Sequence, residues 1–285
     1  MGERQPHILL TNDDGVQAPG LLALAGALSP FADLTIIAPD RNWSASGHVK
    51  TMHKPLRVKE TVIGGTHTAL ETNGAPSDAV ALGLMGLARE PVDLVIAGIN
   101  AGVNVGQDVT YSGTGTAAME GVIGEVPSVA VSLCVERAVD PDYGPAAGFA
   151  AYLARRILSH GLPERILLNV NVPCCPRSEI RGVRVTRMGL RVYHDELVRR
   201  EDPYGRPYYW IGGEPPSGVV EEGTDIEALA HGYVSVTPIR LDFTAYAVMD
   251  TLQDWAWSRW RDGAGGGACA DAGVDAPAGG GTHRQ

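Results

Sequence analysis

Ile8-Leu9-Leu10-Thr11-Asn12-Asp13-Asp14-Gly15-Val16 decides how this chain is read. An apolar run that ends in two adjacent carboxylates and a glycine is the pattern of a buried strand delivering charged groups to its carboxyl end. Neighbouring carboxylates repel, and a low dielectric sharpens the repulsion, so they either share a proton or bind a hard divalent cation through oxygen. A solvated turn is the alternative, since Asp-Gly is a common turn pair.

Two further apolar runs repeat the arrangement. Residues 34–38 open into Pro39-Asp40-Arg41-Asn42-Trp43-Ser44-Ala45-Ser46-Gly47-His48, a polar stretch without helical or strand periodicity and rich in oxygen donors. Residues 92–99 give way to Asn100-Ala101-Gly102-Val103-Asn104-Val105-Gly106-Gln107-Asp108, where glycines allow close backbone approach and side-chain amides supply oxygens. Between these runs, residues 18–28 are apolar at helical spacing, with Pro19 tolerated in the first turn. Residues 76–85 form a second such segment, with Ser77 placed to cap it. Strand alternating with helix predicts a three-layer α/β/α, Rossmann-like, mostly parallel sheet, in which ligands bind beyond the carboxyl ends of the strands. The three polar loops therefore meet in one crevice.

Past the third loop, residues 110–121 run from a hydroxyl- and glycine-rich turn into a small-residue helix. Free amides at that helix start, with the hydroxyls of Ser112, Thr114 and Thr116, make an anion site. Helix capping by the same hydroxyls is the alternative; beside a metal crevice, phosphate binding is the favoured reading. Neither Gly-x-x-x-x-Gly-Lys nor a Gly-x-Gly-x-x-Gly after the first strand is present, so triphosphate cleavage and dinucleotide binding lack their usual signatures.

The chain resembles the SurE family, the survival-protein family of metal-dependent nucleotidases, over about residues 5–255. The resemblance lies in Thr11-Asn12-Asp13-Asp14-Gly15 with Ala18-Pro19-Gly20, Ala38-Pro39-Asp40-Arg41-Asn42 with Ser44, Ser77-Asp78, Gly98-Ile99-Asn100-Ala101-Gly102 with Asn104, and Tyr111-Ser112-Gly113-Thr114 with Ala117-Ala118-Met119-Glu120-Gly121. Leu168-Asn169-Val170-Asn171-Val172-Pro173, Thr224-Asp225 and Tyr233-Val234-Ser235-Val236-Thr237-Pro238 extend it. Several long segments in one order are far more specific than any single short motif.

The resemblance implies metal ligands at Asp13, Asp14, Ser44 and Asn100. All four are oxygen donors, which suits one magnesium or manganese ion per subunit, with calcium able to use the same cage, and argues against zinc. It implies hydrolysis of nucleoside 5'-monophosphates, with 3'-monophosphates and short polyphosphate as further substrates. Asp13, Asp14 and Asn100 are then catalytic, and Asn104, Ser112, Gly113 and Thr114 hold the phosphate. Whether water or an aspartate attacks phosphorus stays open at this level. The other functional reading is a metal-dependent nucleotide-binding module without turnover; the intact set Asp13, Asp14, Ser44 and Asn100 favours the enzyme.

Three features depart from the family pattern. Trp43 stands where a small or charged residue is usual, Ser46-Gly47-His48-Val49 differs from the usual polar run, and Gly115-Thr116 replaces apolar residues after Ser112-Gly113-Thr114. The last substitution is expected to loosen the helix start rather than to add a hydroxyl to the anion site.

Composition fits a cytoplasmic enzyme. The chain has 285 residues, enough for a sizeable core, and its 23 basic against 33 acidic side chains give a formal charge of −10. That balance disfavours a nucleic-acid polymer as partner, so a phosphate substrate is attracted locally. The absence of an apolar run of about 18 residues, and the short stretch before the first strand, lead us to expect neither a membrane span nor a signal peptide. Cys134, Cys174, Cys175 and Cys269 show no metal-binding spacing and are expected as free thiols. His48, His53, His194 and His231 are read as loop or interface residues, with His48 singled out because it lies in the second site loop.

Later residues change character. Residues 144–160 predict a helix with Phe149, Leu153, Ile157 and Leu158 as its apolar stripe, and residues 166–170 a buried strand. Residues 183–187 alternate like an exposed strand, and Arg206-Pro207-Tyr208-Tyr209-Trp210-Ile211 is an aromatic strand with little room in a parallel core. About residues 175–240 are therefore expected to contain a projecting β-hairpin and helix extension used in oligomerisation, a homodimer or homotetramer. Residues 244–260 predict an amphipathic helix closing one domain over 1–262, and the Gly- and Ala-rich residues 263–285 a disordered tail.

Overall fold

A computed structural model describes residues 4–89, 91–135, 140–255 and 257. The strand-then-helix pattern gives β1 (His7–Thr11), α1 (Pro19–Leu28), β2 (Asp33–Pro39), β3 (Val58–Ile63), β4 (His67–Thr72), α2 (Pro76–Leu82), β5 (Leu94–Ala101), α3 (Gly113–Ile123), β6 (Ser128–Cys134), α4 (Gly144–His160) and β7 (Ile166–Pro173). Then follow β8 (Val183–Val185), β9 (Arg191–Glu201), β10 (Pro207–Gly218), α5 (Asp225–Ala230) and β11 (Val234–Arg240).

Nine strands form one sheet in the order β3-β4-β2-β1-β5-β6-β7-β11-β8. From β4 to β7 all neighbours run parallel; β3 and β11 pair antiparallel with β4 and β7, and β8 runs parallel to β11. Every residue of β1 is buried, which is why this strand reads as a continuous apolar run instead of an alternating one. One core packs α1 and α4 on one face, and a second packs α2 and α3 on the other. This is the expected three-layer α/β/α architecture. The chain leaves β1 toward β2 on one side and later returns to β5 on the other, so the strand order reverses between β1 and β5, where doubly wound sheets open a crevice.

Three local expectations are corrected. The α4 seam consists of Ala146, Ala147, Ala150, Ala151, Ala154 and Ile157, with Phe149, Leu153 and Leu158 only partly buried at its margin, because small side chains let the helix lie close to the sheet. Ser77 does not cap α2; its hydroxyl donates to the Val49 carbonyl, and Asp78 accepts from the Ala75 N–H at 2.9 Å instead. The α-helix there ends at Leu82, and Gly83–Leu87 continues as a wider π-turn with Gly86 at φ 126°.

Within the expected extension, β8 and β11 belong to the main sheet, whereas β9 and β10 form a separate two-stranded antiparallel ribbon. Its tip is tied by Asp202, whose carboxylate accepts from Tyr204 N–H (2.8 Å), Arg206 N–H (3.0 Å) and Arg206 Nε (2.8 Å). Tyr209, Trp210 and Ile211 on β10 and Leu197 on β9 are exposed.

Asp242 begins a second compact unit. It holds a 3-10 turn, Tyr246–Val248, and α6 (Met249–Gln253), so the described helix is shorter than predicted: the Trp257 indole N–H takes the Leu252 carbonyl at 2.6 Å, a capping contact. Trp260 and the tail over 263–285 lie outside the described residues.

Candidate functional site

The crevice is assembled by three loops, at the carboxyl ends of β1, β2 and β5. The first is a tight turn over residues 12–15, closed by the Asn12 side-chain amide donating to the Gly15 carbonyl at 2.8 Å. Gly15 sits at φ 106°, with the backbone of Arg41 3.4 Å from where a Cβ would stand, so both its conformation and its neighbour favour glycine. The turn leaves Asp13 only 3% exposed and Asp14 half-buried.

The second loop is sewn onto this turn. Trp43 N–H donates to the Asp13 carbonyl at 2.7 Å, the Asn42 amide donates to Asp14 Oδ1 at 3.3 Å, and Ser44 N–H donates back to Asn42 Oδ1 at 2.8 Å. Ser44 thus directly follows the residue that anchors to Asp13. Loop two also reaches loop three, through Gly47 N–H donating to the Tyr111 carbonyl at 2.9 Å. From the third loop, Ala101 N–H donates to Asp14 Oδ2 at 3.2 Å. Asn100 commits its Nδ2 to the Gly102 carbonyl at 2.9 Å, which turns its oxygen away from that contact.

Helix α3 completes the site from below. Its residue Gly113 packs so tightly on Asp13 that an added Cβ would lie 2.6 Å from the aspartate Cβ. The Thr114 hydroxyl donates to Asp13 Oδ1. Ser112 is the N-cap, accepting from Gly115 N–H at 2.9 Å while keeping its own hydroxyl hydrogen to give. Thr116 does not face an anion: its single hydroxyl hydrogen lies among the carbonyls of Ser112 (2.8 Å), Gly47 (3.1 Å) and Gly113 (3.2 Å), the Ser112 oxygen being the nearest acceptor. The α3 N-terminus therefore receives the carboxylate of Asp13 as its first anionic neighbour, a favourable placement beside the helix dipole.

Electrostatics follow from this packing. Burial pushes the Asp13 carboxyl above its ordinary value, the Thr114 hydroxyl pulls it back, and the charge of Asp14 raises it again. Burial likewise raises Asp14, against the Ala101 N–H. Among the described residues, no cationic side chain pairs with either group. Two desolvated carboxylates without a counter-charge fit a divalent cation, and the oxygens around them suit a hard one. No cluster of three or more His, Cys, Asp and Glu side chains capable of holding a metal occurs among the described residues. Asn12 Oδ1 and Thr11 Oγ1, both buried without a partner, lie in the same turn and strand end.

These contacts bring together the segments that carry Asp13, Asp14, Ser44 and Asn100, with Gly113 and Thr114 of α3 against Asp13 and Ser112 at the head of that helix. Asn104 lies at the far side of the third loop, 7% exposed and held by β6 and β7. Sequence reasoning overlooked Asn42, whose contact with Asp14 spans 28 positions and has no local signature. It also left Glu120 without a role: this nearly buried carboxylate on α3 takes His48 Nε2 at 2.9 Å and Lys50 Nζ at 3.2 Å, fastening the second loop to the helix. A glutamate inside a helix of small apolar residues was the one available clue.

The fold and site define a doubly wound α/β protein with an all-oxygen acidic crevice at its switch point. The family model "Survival protein SurE" matches residues 8–195. The chain is 46% identical over 251 residues to 5'-nucleotidase SurE of Chloroflexus aggregans, covering 88% of this chain and 99% of that protein. It is 47% identical over 259 residues to 5'-nucleotidase SurE of Geobacter sulfurreducens, covering 91% and 97%. The crystal structure of the SurE protein from Aquifex aeolicus superposes with a TM-score of 0.74 at 40% identity, covering 87% of this chain and 98% of that one. The chain belongs to the SurE family.

Proposed function

We propose that this protein is a metal-dependent phosphomonoesterase that hydrolyses nucleoside 5'-monophosphates to nucleoside and phosphate. One observation carries the reading: Asp13 and Asp14 are desolvated side by side, fixed by three loops and α3, with no cationic side chain among the described residues to answer them. The relatives' shared name, 5'-nucleotidase SurE, points the same way.

Asp13, Asp14, Ser44 and Asn100 would hold one magnesium or manganese ion, and calcium fits the same donors. When bound, such an ion neutralises phosphate charge and lowers the pKa of a water molecule. The chain's own residues do the positioning. Thr114 locks Asp13, and Asn42 and Ala101 lock Asp14, so neither carboxylate has to reorganise as charge develops at phosphorus. Ser112 gives its hydroxyl hydrogen to a phosphate oxygen, and Gly113 offers an N–H that no intrahelical bond uses. Asn104 contacts the substrate from the opposite side. The exposed aromatic ribbon is the surface on which a homodimer or homotetramer forms. Among the described residues no helix is long and apolar enough to cross a membrane.

Phosphate release from a panel of nucleoside 5'- and 3'-monophosphates, with magnesium, manganese or chelator, tests this reading against Asp13→Asn. Metal-dependent release lost in the variant is the expected result. Nucleotide binding without release by folded, metal-supplemented protein would replace the enzyme with a binding module.

A further inference from the structure

A row of polar side chains, fully buried beyond the half-buried Asn100, crosses the sheet beside the three loops. Asn100 on β5 is in register with Ser132 on β6, Ser132 with Asn171 on β7, and Asn171 with Ser235 on β11. Residues paired this way share a face of the sheet, and alternation with Ala130 and Leu167 makes it the α3 face. Strands buried on both sides ordinarily carry apolar residues there. Yet Ser132, Asn169 and Asn171 are all 0% exposed, and a buried amide is costly unless its hydrogen bonds are made.

Those bonds converge on one residue. Asn171 Oδ1 accepts from the Asn104 backbone N–H at 2.8 Å, and Asn171 Nδ2 donates to the Asn104 carbonyl at 3.0 Å. A single side chain therefore grips both polar groups of one residue's main chain, as a neighbouring strand would. Asn169 Nδ2 donates to the same carbonyl at 2.8 Å, and the Asn104 amide itself donates to Ser132 Oγ at 2.8 Å. Asn169 Oδ1 is buried without a partner, so this asparagine serves through its donor alone. Residues 102–105 have no helix or strand of their own, lying between β5 and a 3-10 turn that begins at Gly106. Gly102 N–H still reaches the Leu133 carbonyl of β6 at 3.0 Å, but at Asn104 the side chains of Asn169 and Asn171 on β7 stand in for a ladder.

We propose that Asn171, with Asn169 and Ser132 beside it, is a positioning residue that sets Asn104 at the edge of the active site. The proposal rests on the assignment of Asn104 to the substrate. Asn171 stands three strands away from β1, which delivers Asp13 and Asp14, so it governs how substrate is held and not the bond-breaking centre.

Steady-state phosphate release by the full, metal-supplemented chain should show Asn171→Leu raising KM about tenfold, the scale of a lost hydrogen-bond set, while kcat stays within about twofold. In an Asn104→Ala background the same substitution should add nothing, because residues acting as a unit are non-additive. An undiminished effect in that background, or a fall in kcat at constant KM, overturns the proposal. Asn171→Ser, too short to span the loop but compatible with a polar row, is read identically if the leucine variant does not fold. Amide hydrogen exchange gives an answer without substrate: the Asn104 N–H should be slow in wild type and fast in the Asn171 variant, with the β7 ladder amides still slow. Fast exchange of Asn104 in wild type overturns the grip itself. Wild-type protein with a slow Asn104 amide that releases no phosphate overturns instead the functional reading and, with it, the substrate role of Asn104.

Discussion

The crevice and the ribbon break the ordinary rule of burial in opposite directions. In the crevice, carboxylates are taken out of water and held by neighbours; in the ribbon, Tyr209, Trp210, Ile211 and Leu197 are left in it. Under the proposed function each region is finished by something other than this polypeptide unit, a cation with phosphate in one and a second copy in the other. They also differ in rigidity. Asp13 is fixed by α3 and the second loop over long sequence separations, whereas the ribbon is a lone two-stranded pair, marginal by itself, secured at its root where Arg191 and Tyr193 each reach Asp108 at 2.7 Å. A group out of place inside a rigid frame marks chemistry, and one out of place on an arm marks association.

If that contrast holds, the largest effect belongs to the crevice. Asp13→Asn should lower kcat at least about a hundredfold, the scale of losing one preorganised electrostatic contact, and chelation of wild type should match it until magnesium or manganese is restored. Phosphate release measured with and without chelator checks both. Retained metal-dependent turnover in the asparagine variant would remove Asp13 from the chemistry.

Gly113→Ala comes next. The new Cβ would meet Asp13 Cβ at 2.6 Å, so either α3 or the β1 turn must shift. Overpacking of this kind costs about 1–3 kcal/mol, visible as a lower melting temperature, and the displaced carboxylate should cost more than tenfold in kcat, or about 1.4 kcal/mol. A variant with normal kcat would show that the frame around Asp13 is softer than its packing suggests.

How far the sequence foretold this division depends on the range of the interactions involved. The layers, the mostly parallel sheet and the meeting of the three loops were legible because apolar runs and loop composition are local signals, and 144–160 was marked as a helix to the residue. The alanine seam of α4 was not, since the largest apolar residues on a helix need not be those facing the sheet. The placements of Asn42, Glu120 and Asn171 were hidden for a different reason: each contact joins residues far apart in sequence, and polar residues carry no periodicity that registers them. The ribbon was visible as aromatic residues without room in the core, but the return of β8 and β11 to the main sheet depends on β11 pairing with β7 and β8 with β11, which residues 183–187 and 234–240 do not advertise.

A smaller effect is expected where the second loop meets α3. The His48 hydrogen bond, aided by Lys50 and opposed by burial, holds the Glu120 carboxyl below its usual range. A depressed carboxylate contributes stability that is present above its unfolded value and lost as pH falls through the folded one. Glu120→Gln should therefore melt below wild type at neutral pH, and the gap should close as the solution is acidified past the ordinary carboxylate range. A gap that widens on acidification would mean that Glu120 is not held by these partners.

The least change in turnover is expected on the ribbon, although the change in mass is the most visible. Trp210 and Ile211 sit on adjacent, fully pleated positions of β10, opposite Val198 and Leu197. Replacing both with serine removes apolar surface without touching the Asp202 turn at the tip or the Asp108 anchor at the root, so the ribbon keeps its register. Size-exclusion chromatography with light scattering should then show the double variant as a monomer under conditions where wild type is a dimer or tetramer, with kcat per subunit within about twofold. A monomeric wild type would leave the exposed aromatics without a partner copy and remove the association half of the contrast. A monomeric variant that also lost activity would sharpen it in another way: the path from the ribbon root through Asp108 into the third loop would then carry the state of assembly to Asn104, and the two regions would be one device read from its two ends.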